Sequence, residues 1–413
     1  MTLKKAGNIF VDADAYTELA SWHEQAARLR REDPVHLVEA EGFDPFYALT
    51  RHADVFEVER RSDTFLNTQA SVLLPSAVYE EQRASGLELK TLVHMDAPEH
   101  LQYRGLTNDW FKPAALRRSL EGRVEELARS FVDRMAGMGG ECDFARDVAL
   151  LYPLHVIMST LGVPEEDEPR MLRLTQELFG SEDPEFGGGK DRNQVMMDAM
   201  TDFYAYFTEL TEQRRAEPRD DIASVLANGA VDGQPLGELQ RLSYYTIVAT
   251  AGHDTTSNAL AGGVEALLRN PDQFAALKND PSLLDNAVEE ILRWTTPVRH
   301  FLRYSTRDQQ VGDTTVREGE RVLLSYLSAN RDEDVFEDSL RFDIHRADAD
   351  RHLAFGTGVH FCLGAHLARM ELKYFLLELL PRLDRMELVG PVEYTASSFV
   401  GGVKRMPVRY TFN

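Results

Sequence analysis

The stretch that most restricts the fold is FGTGVHFCLG, residues 355–364, a glycine-rich loop that runs directly into a helical pattern. Apolar residues after it recur at alternating spacings of four and three, which predicts an amphipathic helix that ends at Pro381. Cys362 therefore lies at a helix N-terminus, where free N–H groups and the helix dipole stabilise a thiolate. Because the glycines have no side chains, the backbone can approach a flat, bulky group closely.

Cys362 is one of only two cysteines in 413 residues, and several functions compete for it. No second cysteine lies within three residues, which excludes a CxxC redox pair and the CxxCH attachment of c-type haem. Zinc normally needs three or four nitrogen or sulfur ligands, and only His360 and His366 are near. A dinucleotide-binding pattern fails because its third glycine would fall at Phe361. An inert buried cysteine and a thiolate ligand of haem iron both remain possible.

Composition narrows the class of protein. Asp and Glu outnumber Lys and Arg by 68 to 45, a formal net charge of −23, whereas a nucleic-acid binder needs a basic face. The first residues, MTLKKAGNIFVDADAY, contain no apolar run long enough for a signal peptide or a membrane anchor. Cys142 and Cys362 do not make a disulfide framework. We therefore expect a cytoplasmic protein that binds neither nucleic acid nor membrane.

Hydrophobic periodicity predicts a mainly α chain with a minor β region. Apolar residues at helical spacing mark 123–137 and a long central helix at 240–270, which Asn270-Pro271 closes. Shorter β patterns occur at 36–40, 46–50, 310–316, 321–326 and 408–412. The segment 181–191 is typical of a flexible insertion between two helical stretches. No repeat and no Ser/Gly-rich linker divides the chain, which predicts a single domain over residues 1–413.

The central helix contains the sequence AGHDTT at residues 251–256. Gly252 weakens the helix there, and the hydroxyls of Thr255 and Thr256 can bond to carbonyls four residues earlier and bend it. Asp254 is costly in a small and apolar stretch unless a function needs it. The pattern on its own is compatible with a solvated polar turn and with a functional carboxylate–hydroxyl pair.

The cysteine loop resembles the haem-binding signature of the cytochrome P450 family. The matching positions are Phe355, Gly356, Gly358, His360, Cys362 and Gly364. The resemblance extends from about residue 45 to the C-terminus, and segments such as 152–169 and 398–402 are similar to the bacterial terpineol hydroxylase branch. It implies the P450 fold, with haem b between the central helix and the helix that follows the loop. Cys362 would then be the axial ligand of the iron.

The same resemblance implies roles for other positions. Asp254 and Thr255 would relay protons through water in a groove for dioxygen that begins at Ala251. EEILRW and FDIHR match the family's structural triad, which falls on Glu290, Arg293 and Arg346, and the competing explanation is an ordinary surface ion pair. Haem propionates need cationic or hydrogen-bonding partners. The resemblance assigns these to His100, Arg104, Arg303 and His360, which would otherwise be solvated surface side chains.

Substrate contacts also follow from the resemblance. The side chains expected to line the pocket are Val248, Ala251, Val298, Phe301, Phe399 and Val400. These are apolar, which fits a small hydrophobic substrate, a terpenoid or an alkyl-aromatic compound. The implied reaction is hydroxylation, in which one atom of dioxygen enters a C–H bond.

The chain shows no dinucleotide, flavin or iron–sulfur signature, so we expect two electrons to come from an iron–sulfur ferredoxin with an NAD(P)H-dependent reductase. Residues 104–118 contain Arg104, Lys112, Arg117 and Arg118 against Asp109 alone. This segment is either a solvated helix face or a docking patch for an acidic ferredoxin. We also expect the protein to be a monomer. Two other activities stay open: a haem-thiolate peroxygenase or isomerase, and a non-enzymatic haem sensor.

Overall fold

The computed structural model describes residues 7–68, 71–85, 90–179 and 192–413. Within these ranges the α-helices are α1 (Leu19–Glu32), α2 (His52–Arg60), α3 (Ser76–Ser85), α4 (Glu99–Asn108), α5 (Pro113–Ser119), α6 (Glu121–Gly137), α7 (Leu151–Leu161), α8 (Glu168–Phe179), α9 (Arg192–Ala216), α10 (Ile222–Asn228), α11 (Glu238–Ala251), α12 (Asp254–Arg269), α13 (Pro271–Asn279), α14 (Leu284–Thr295), α15 (Tyr326–Ala329) and α16 (Ala365–Arg382).

The strands are shorter than the helices. They are β1 (Val35–Val38), β2 (Phe46–Leu49), β3 (Phe65–Leu66), β4 (Glu141–Asp143), β5 (Ala230–Val231), β6 (Gln234–Pro235), β7 (His300–Ser305), β8 (Gln309–Val311), β9 (Thr314–Val316), β10 (Arg321–Ser325), β11 (Leu383–Leu388), β12 (Glu393–Tyr394), β13 (Val403–Arg405) and β14 (Pro407–Phe412). The predicted mainly α class with a minor β region is confirmed. That residues 1–413 form one domain stays a prediction.

The helix predictions need two corrections. The helix predicted at 123–137 is α6, but the single helix predicted at 240–270 is wrong, because Gly252 and His253 separate α11 from α12. Pro381 does not end α16, since the helix continues to Arg382 and holds the proline in its last turn. The predicted insertion at 181–191 lies outside the described residues.

The main sheet has the strand order β1-β2-β10-β7-β3. Strands β2 and β10 pair in parallel and the other neighbours are antiparallel. Four of the five predicted strand regions are confirmed within a few residues, but the single strand predicted at 310–316 is wrong, because a turn at Gly312 divides it into the antiparallel strands β8 and β9. Sequence reasoning also did not predict β7, although it is central to the sheet. Strand β7 has buried side chains on both faces and lacks the alternation that reveals a half-exposed strand.

Packing in the core fixes the positions of α12 and α14, two helices that lie near the functional site. Helix α12 is buried along most of its length and packs against α14 and α16. At Gly263 the backbones approach so closely that a Cβ atom would lie 2.7 Å from the side chain of Ile291 on α14. This contact sets the position of α14, whose polar residues reach the cysteine loop. In the part of the chain that the structure describes, no helix has the length and apolar character needed to span a bilayer.

Candidate haem site

The cysteine loop is closed by its own backbone. The N–H of Cys362 donates to the carbonyl of Phe355 at 2.9 Å, and Gly356 takes a φ of +62°. Burial raises the pKa of the Cys362 thiol, whereas hydrogen bonds from the N–H groups of Gly364 and Ala365 lower it. The loop therefore holds a sulfur atom against the start of α16, where the backbone favours the thiolate.

A group of charged side chains packs against this loop and stabilises it. The guanidinium of Arg369 lies over the ring of Phe355 at 4.6 Å and forms two hydrogen bonds, of 2.6 and 2.8 Å, to the carboxylate of Glu289. Glu289 also lies 3.1 Å from Nε2 of His352. Burial alone would raise the pKa of Glu289, but Arg369 and His352 together lower it to about 2. Sequence reasoning missed Glu289, the neighbour of Glu290.

The structure brings together the three residues expected to form a triad. Glu290 and Arg293 are both 0% exposed, with side-chain contacts of 2.6 and 2.8 Å, and Arg346 lies 3.2 Å from Glu290. Arg293 also donates to the carbonyls of Asn330 and Ser339 at 2.9 Å each. An exposed ion pair, the simpler explanation of this i, i+3 spacing, does not fit such complete burial.

Four basic side chains converge beside the loop. The rings of His100 and His360 lie 4.1 Å apart, and Arg104 donates to the carbonyl of Phe361 at 2.7 Å. Burial and the charge of Arg303 are the two largest effects that lower the pKa of His360 to about 2. Burial and the charge of Arg104 lower the pKa of His100 to about 4. Burial is the larger cause of both pKa shifts, but the charges of Arg104 and Arg303 add to it, and an anionic group would balance those charges.

The break between α11 and α12 interrupts the backbone hydrogen bonding of the helix after Ala251. Its carbonyl accepts a hydrogen bond from the hydroxyl of Thr255 at 2.8 Å, as the sequence predicts. Gly252 packs on α7 so closely that a Cβ atom would lie 2.6 Å from the side chain of Ile157. Ala251 is exposed, while Val248, one turn earlier, is buried.

His253 is an unpredicted neighbour of Asp254. Its ring is fully buried, with Nε2 2.9 Å from the carbonyl of Leu150 and Nδ1 3.1 Å from Oδ1 of Asp254. Nδ1 has no hydrogen-bond partner among the described residues, although it lies within ion-pair distance of the carboxylate. Burial raises the pKa of Asp254, and His253 opposes that shift. A raised carboxyl pKa suits a group that must gain and lose a proton near neutral pH.

Apolar side chains from two distant parts of the chain meet near β7. Val298 and Val400 form an isolated antiparallel bridge, and the rings of Phe301 and Phe399 pack edge to face at 5.5 Å. These four predicted pocket residues are therefore neighbours in space, although about 100 positions separate the two pairs in the sequence. Whether they contact a substrate stays a prediction.

Comparison with known proteins identifies the family. Residues 75–389 match the family model described as Cytochrome P450. The chain belongs to the cytochrome P450 family. The chain is 43% identical to Cytochrome P450-terp from Pseudomonas sp over 399 residues, which cover 93% of this P450 and 92% of that protein. The crystal structure of CYP108D1 from Novosphingobium aromaticivorans matches it with a TM-score of 0.93 and 41% identity, over 99% of each chain.

More distant relatives differ in the substrates that their names give. Linalool 8-monooxygenase from Pseudomonas putida is 32% identical over 96% of this chain and 97% of that protein. A steroid C26-monooxygenase from Mycolicibacterium smegmatis is 33% identical over 94% of this chain and 90% of that protein. The protein is a cytochrome P450 monooxygenase, and its cofactor is haem.

The residues at the site of this P450 fit that cofactor. Nδ1 of His100 is buried and has no hydrogen-bond partner among the described residues, beside three other basic side chains. A group that carries carboxylates would satisfy this nitrogen and balance the charge. A Cβ atom at Gly364, two residues after Cys362, would meet no other atom within 4 Å, so there is open space beside the loop at this position. Donor set, charge and space therefore all match a haem.

Glu289 generates a prediction about acid stability. Its pKa is about 2 in the folded protein, below the ordinary value of 4.5, so its contribution is complete above that value and is lost as the pH falls towards 2. We expect Glu289→Gln to lower the unfolding free energy at pH 7 by about 3 kcal/mol. The deficit should shrink to less than half by about pH 3. Urea titrations across this pH range measure it.

Asp285→Asn is the matched control, because Asp285 lies on the same helix and pairs with Lys373 at 2.5 Å but is 78% exposed. It should change the unfolding free energy by less than about 1 kcal/mol at any pH. A Glu289→Gln deficit that does not vary with pH would contradict the electrostatic explanation.

Proposed function

We propose that this P450 is a class I haem-thiolate monooxygenase that hydroxylates a compact hydrophobic substrate, a terpenoid or an alkyl-aromatic compound. One substrate molecule, one dioxygen, two electrons and two protons yield the alcohol and water. A ferredoxin, reduced by an NAD(P)H-dependent reductase, supplies the electrons. The observation that carries the proposal is the closed loop that holds the Cys362 sulfur beside a cluster of four basic side chains.

We assign the cofactor as haem b, bound without a covalent link. Cys362 would ligate the iron, and the carboxylates would contact His100, Arg104, Arg303 and His360. Phe355, Gly356 and Gly364 shape the loop on the thiolate side, with Ala251 on the opposite side. Glu290, Arg293 and Arg346 have a structural task, because their burial leaves them out of reach of a substrate.

The haem, when bound, supplies the chemistry that cleaves dioxygen and inserts one oxygen atom into a C–H bond. The protein supplies protons from the break between α11 and α12. The Asp254 side chain is 31% exposed, so its carboxyl can exchange protons with water, and His253 restrains its position. The hydroxyl of Thr255 donates to the Ala251 carbonyl, which leaves its oxygen lone pairs to accept from a water. Asp254 can therefore deliver protons through a water that the Thr255 hydroxyl holds in place.

The substrate proposal rests on the apolar lining. Val248, Val298, Phe301, Phe399 and Val400 offer no charged partner to a ligand, so binding would come from desolvation. The names of two relatives, P450-terp and linalool 8-monooxygenase, support a terpenoid. The steroid C26-monooxygenases support a larger substrate, which makes size the property to test.

The ferredoxin proposal rests on exposed cations near α5. Arg117 and Arg118 are exposed in its last turn, whereas Lys112 is paired with Asp109 at 2.5 Å. Arg104 is half-buried and contacts the cysteine loop, so it is a poor member of a docking patch. A groove of about 320 Å³ lies between α5, α14 and α16 and includes Arg117 in its wall. An acidic partner docked there would lie on the thiolate side of the site.

The axial ligand is tested by Cys362→His. The parent protein should bind one haem, and its ferrous carbon monoxide adduct should show the red-shifted Soret band of thiolate ligation. The histidine variant can still bind haem but should lose that band, because a neutral nitrogen replaces the thiolate. Survival of the band in the variant would exclude Cys362 as the ligand.

The proton relay is tested at Asp254 and Thr255. We expect Thr255→Ala to keep substrate affinity but to divert most reducing equivalents to hydrogen peroxide, because the water that delivers protons loses its partner. Asp254→Asn should slow turnover by about 10²-fold, since the amide cannot donate a carboxyl proton. Product formed per NAD(P)H consumed is the measurement. Unchanged coupling in Thr255→Ala would remove this hydroxyl from the relay.

Partner docking is tested by reversing charge at Arg117 and Arg118. The double Glu variant should lose about 10-fold in ferredoxin-supported turnover at low salt and less at high salt, where exposed charges are screened. Turnover driven by hydrogen peroxide, which bypasses the partner, should not change. Reversal at Arg28, a partly exposed arginine on α1 that pairs with Glu32 and lies outside this surface, is the control. Equal loss in both assays would indicate damage to the fold.

The proposed function as a whole is tested by titrating the ferric protein with monoterpenes, alkylbenzenes, fatty acids and steroids. A fitting ligand displaces water from the iron and shifts its spin state from low to high. We expect the shift with ten-carbon compounds, and turnover of these should require ferredoxin, reductase and dioxygen together. The oxidised position should be allylic or benzylic. A shift with steroids alone would reject the substrate class, and turnover without the redox partners would reject class I.

A further inference from the structure

Glu59 is a buried acid that no sequence motif marks. It lies in the last turns of α2, and the residue is 3% exposed. Buried glutamates are rare unless they are paired, because an isolated carboxylate loses its hydration. Its neighbour Glu57, two residues earlier, has a side chain that is 63% exposed and pairs with Arg61 at 3.1 Å. On the same helix, Glu59 is therefore buried and Glu57 is exposed to solvent.

Both oxygens of the Glu59 carboxylate face donors. The hydroxyl of Tyr326 donates to Oε1 at 2.6 Å, and the N–H of Thr357 donates to Oε2 at 2.9 Å. Nη2 of Arg303 lies 3.5 Å from Oε1. Burial is the largest effect and raises the pKa of Glu59 above its ordinary value, although Arg303, Tyr326 and Thr357 oppose that shift. The backbone N–H and the guanidinium can only donate, so the oxygens must accept from them, which favours the ionised form.

The cysteine loop rests directly on this side chain. A Cβ atom at Gly356, which has a positive φ, would lie 2.6 Å from Oε1 of Glu59. A Cβ atom at Gly358 would lie 3.0 Å from the backbone oxygen of Glu59. Thr357, between the two glycines, donates to the carboxylate. Three consecutive residues of the loop are therefore positioned by one residue of α2.

We propose that Glu59 is a positioning residue that joins the iron-ligand loop to Arg303 and, as a buried anion, lowers the reduction potential of the bound haem. This inference rests on the proposed roles of Cys362 and Arg303. Arg303 is shared between Glu59 on one side and a haem carboxylate on the other. Reduction of the iron adds a negative charge to the site, and a buried carboxylate nearby opposes that addition.

Glu59→Gln is the direct test, because glutamine keeps the shape and can still accept from Thr357 but carries no charge. We expect the equilibrium constant for one-electron reduction to rise about tenfold, equivalent to about 59 mV. The thiolate-type carbon monoxide band should persist. Glu57→Gln is the matched control on the same helix, and it should leave the potential unchanged because exposed charges are screened.

A double-mutant cycle with Arg303→Gln tests whether Glu59 acts through Arg303. Without the arginine, the buried carboxylate becomes protonated, so Glu59→Gln should then shift the potential little. An equal shift in both backgrounds would overturn the positioning role. Glu59→Gln with the thiolate band present and an unchanged potential would overturn the inference while leaving the proposed function intact. Loss of that band in the parent protein would instead reject the proposed function.

Tyr326→Phe provides a second route if Glu59→Gln does not fold. It keeps the carboxylate but removes one donor, which favours the protonated, neutral acid and should raise the equilibrium constant for reduction in the same direction as Glu59→Gln, but by less. Persistence of the thiolate-type carbon monoxide band shows that the loop is intact and separates this electrostatic effect from general loosening. An unchanged potential in folded Tyr326→Phe would overturn the inference.

Discussion

The buried ion pair between Glu290 and Arg293 is the interaction on which the site depends. Each side chain is 0% exposed, so neither charge could be buried without the other. Arg293 donates to the carbonyl of Asn330, and the side chain of Asn330 in turn accepts from the N–H of Leu353 at 2.7 Å. Leu353 then accepts from the N–H of Gly356 at 3.0 Å. The ion pair on α14 is thus connected to the cysteine loop by a series of hydrogen bonds to buried backbone groups.

A second set of buried charges converges on the same loop from another direction. Glu289 holds Arg369 over Phe355, and Glu59 binds Thr357 and faces Arg303. Removing any one partner leaves a charge in a poorly solvated place, which costs several kcal/mol (order of magnitude). The loop is therefore held by pairs whose members come from α2, α14 and α16. Its rigidity is a property of these pairs and not of the glycine-rich segment itself.

The parts of the fold that were predictable depend on neighbours in sequence. The helix after Cys362 and the pair at Glu290 and Arg293 follow from spacings of three and four residues, which place side chains on one helix face. The hydroxyl contact of Thr255 spans one helical turn. The break at Gly252 and His253 was only half anticipated, as a bend. Its extent depends on α7, whose Ile157 packs against the glycine.

By itself the sequence determined the cysteine loop, the helix that follows it, the acid and alcohol of the central helix, and hence the family of the chain. Only the tertiary structure decided which charges from distant parts of the chain face one another. Glu59 and Arg303 are separated by 244 positions, and no local spacing indicates that they meet. His253 likewise gains its partner carbonyl from Leu150, 103 positions away. The physical reason is that burial makes a charge or a polar group depend on whichever partner the packing brings within about 3 Å, whatever its place in the chain.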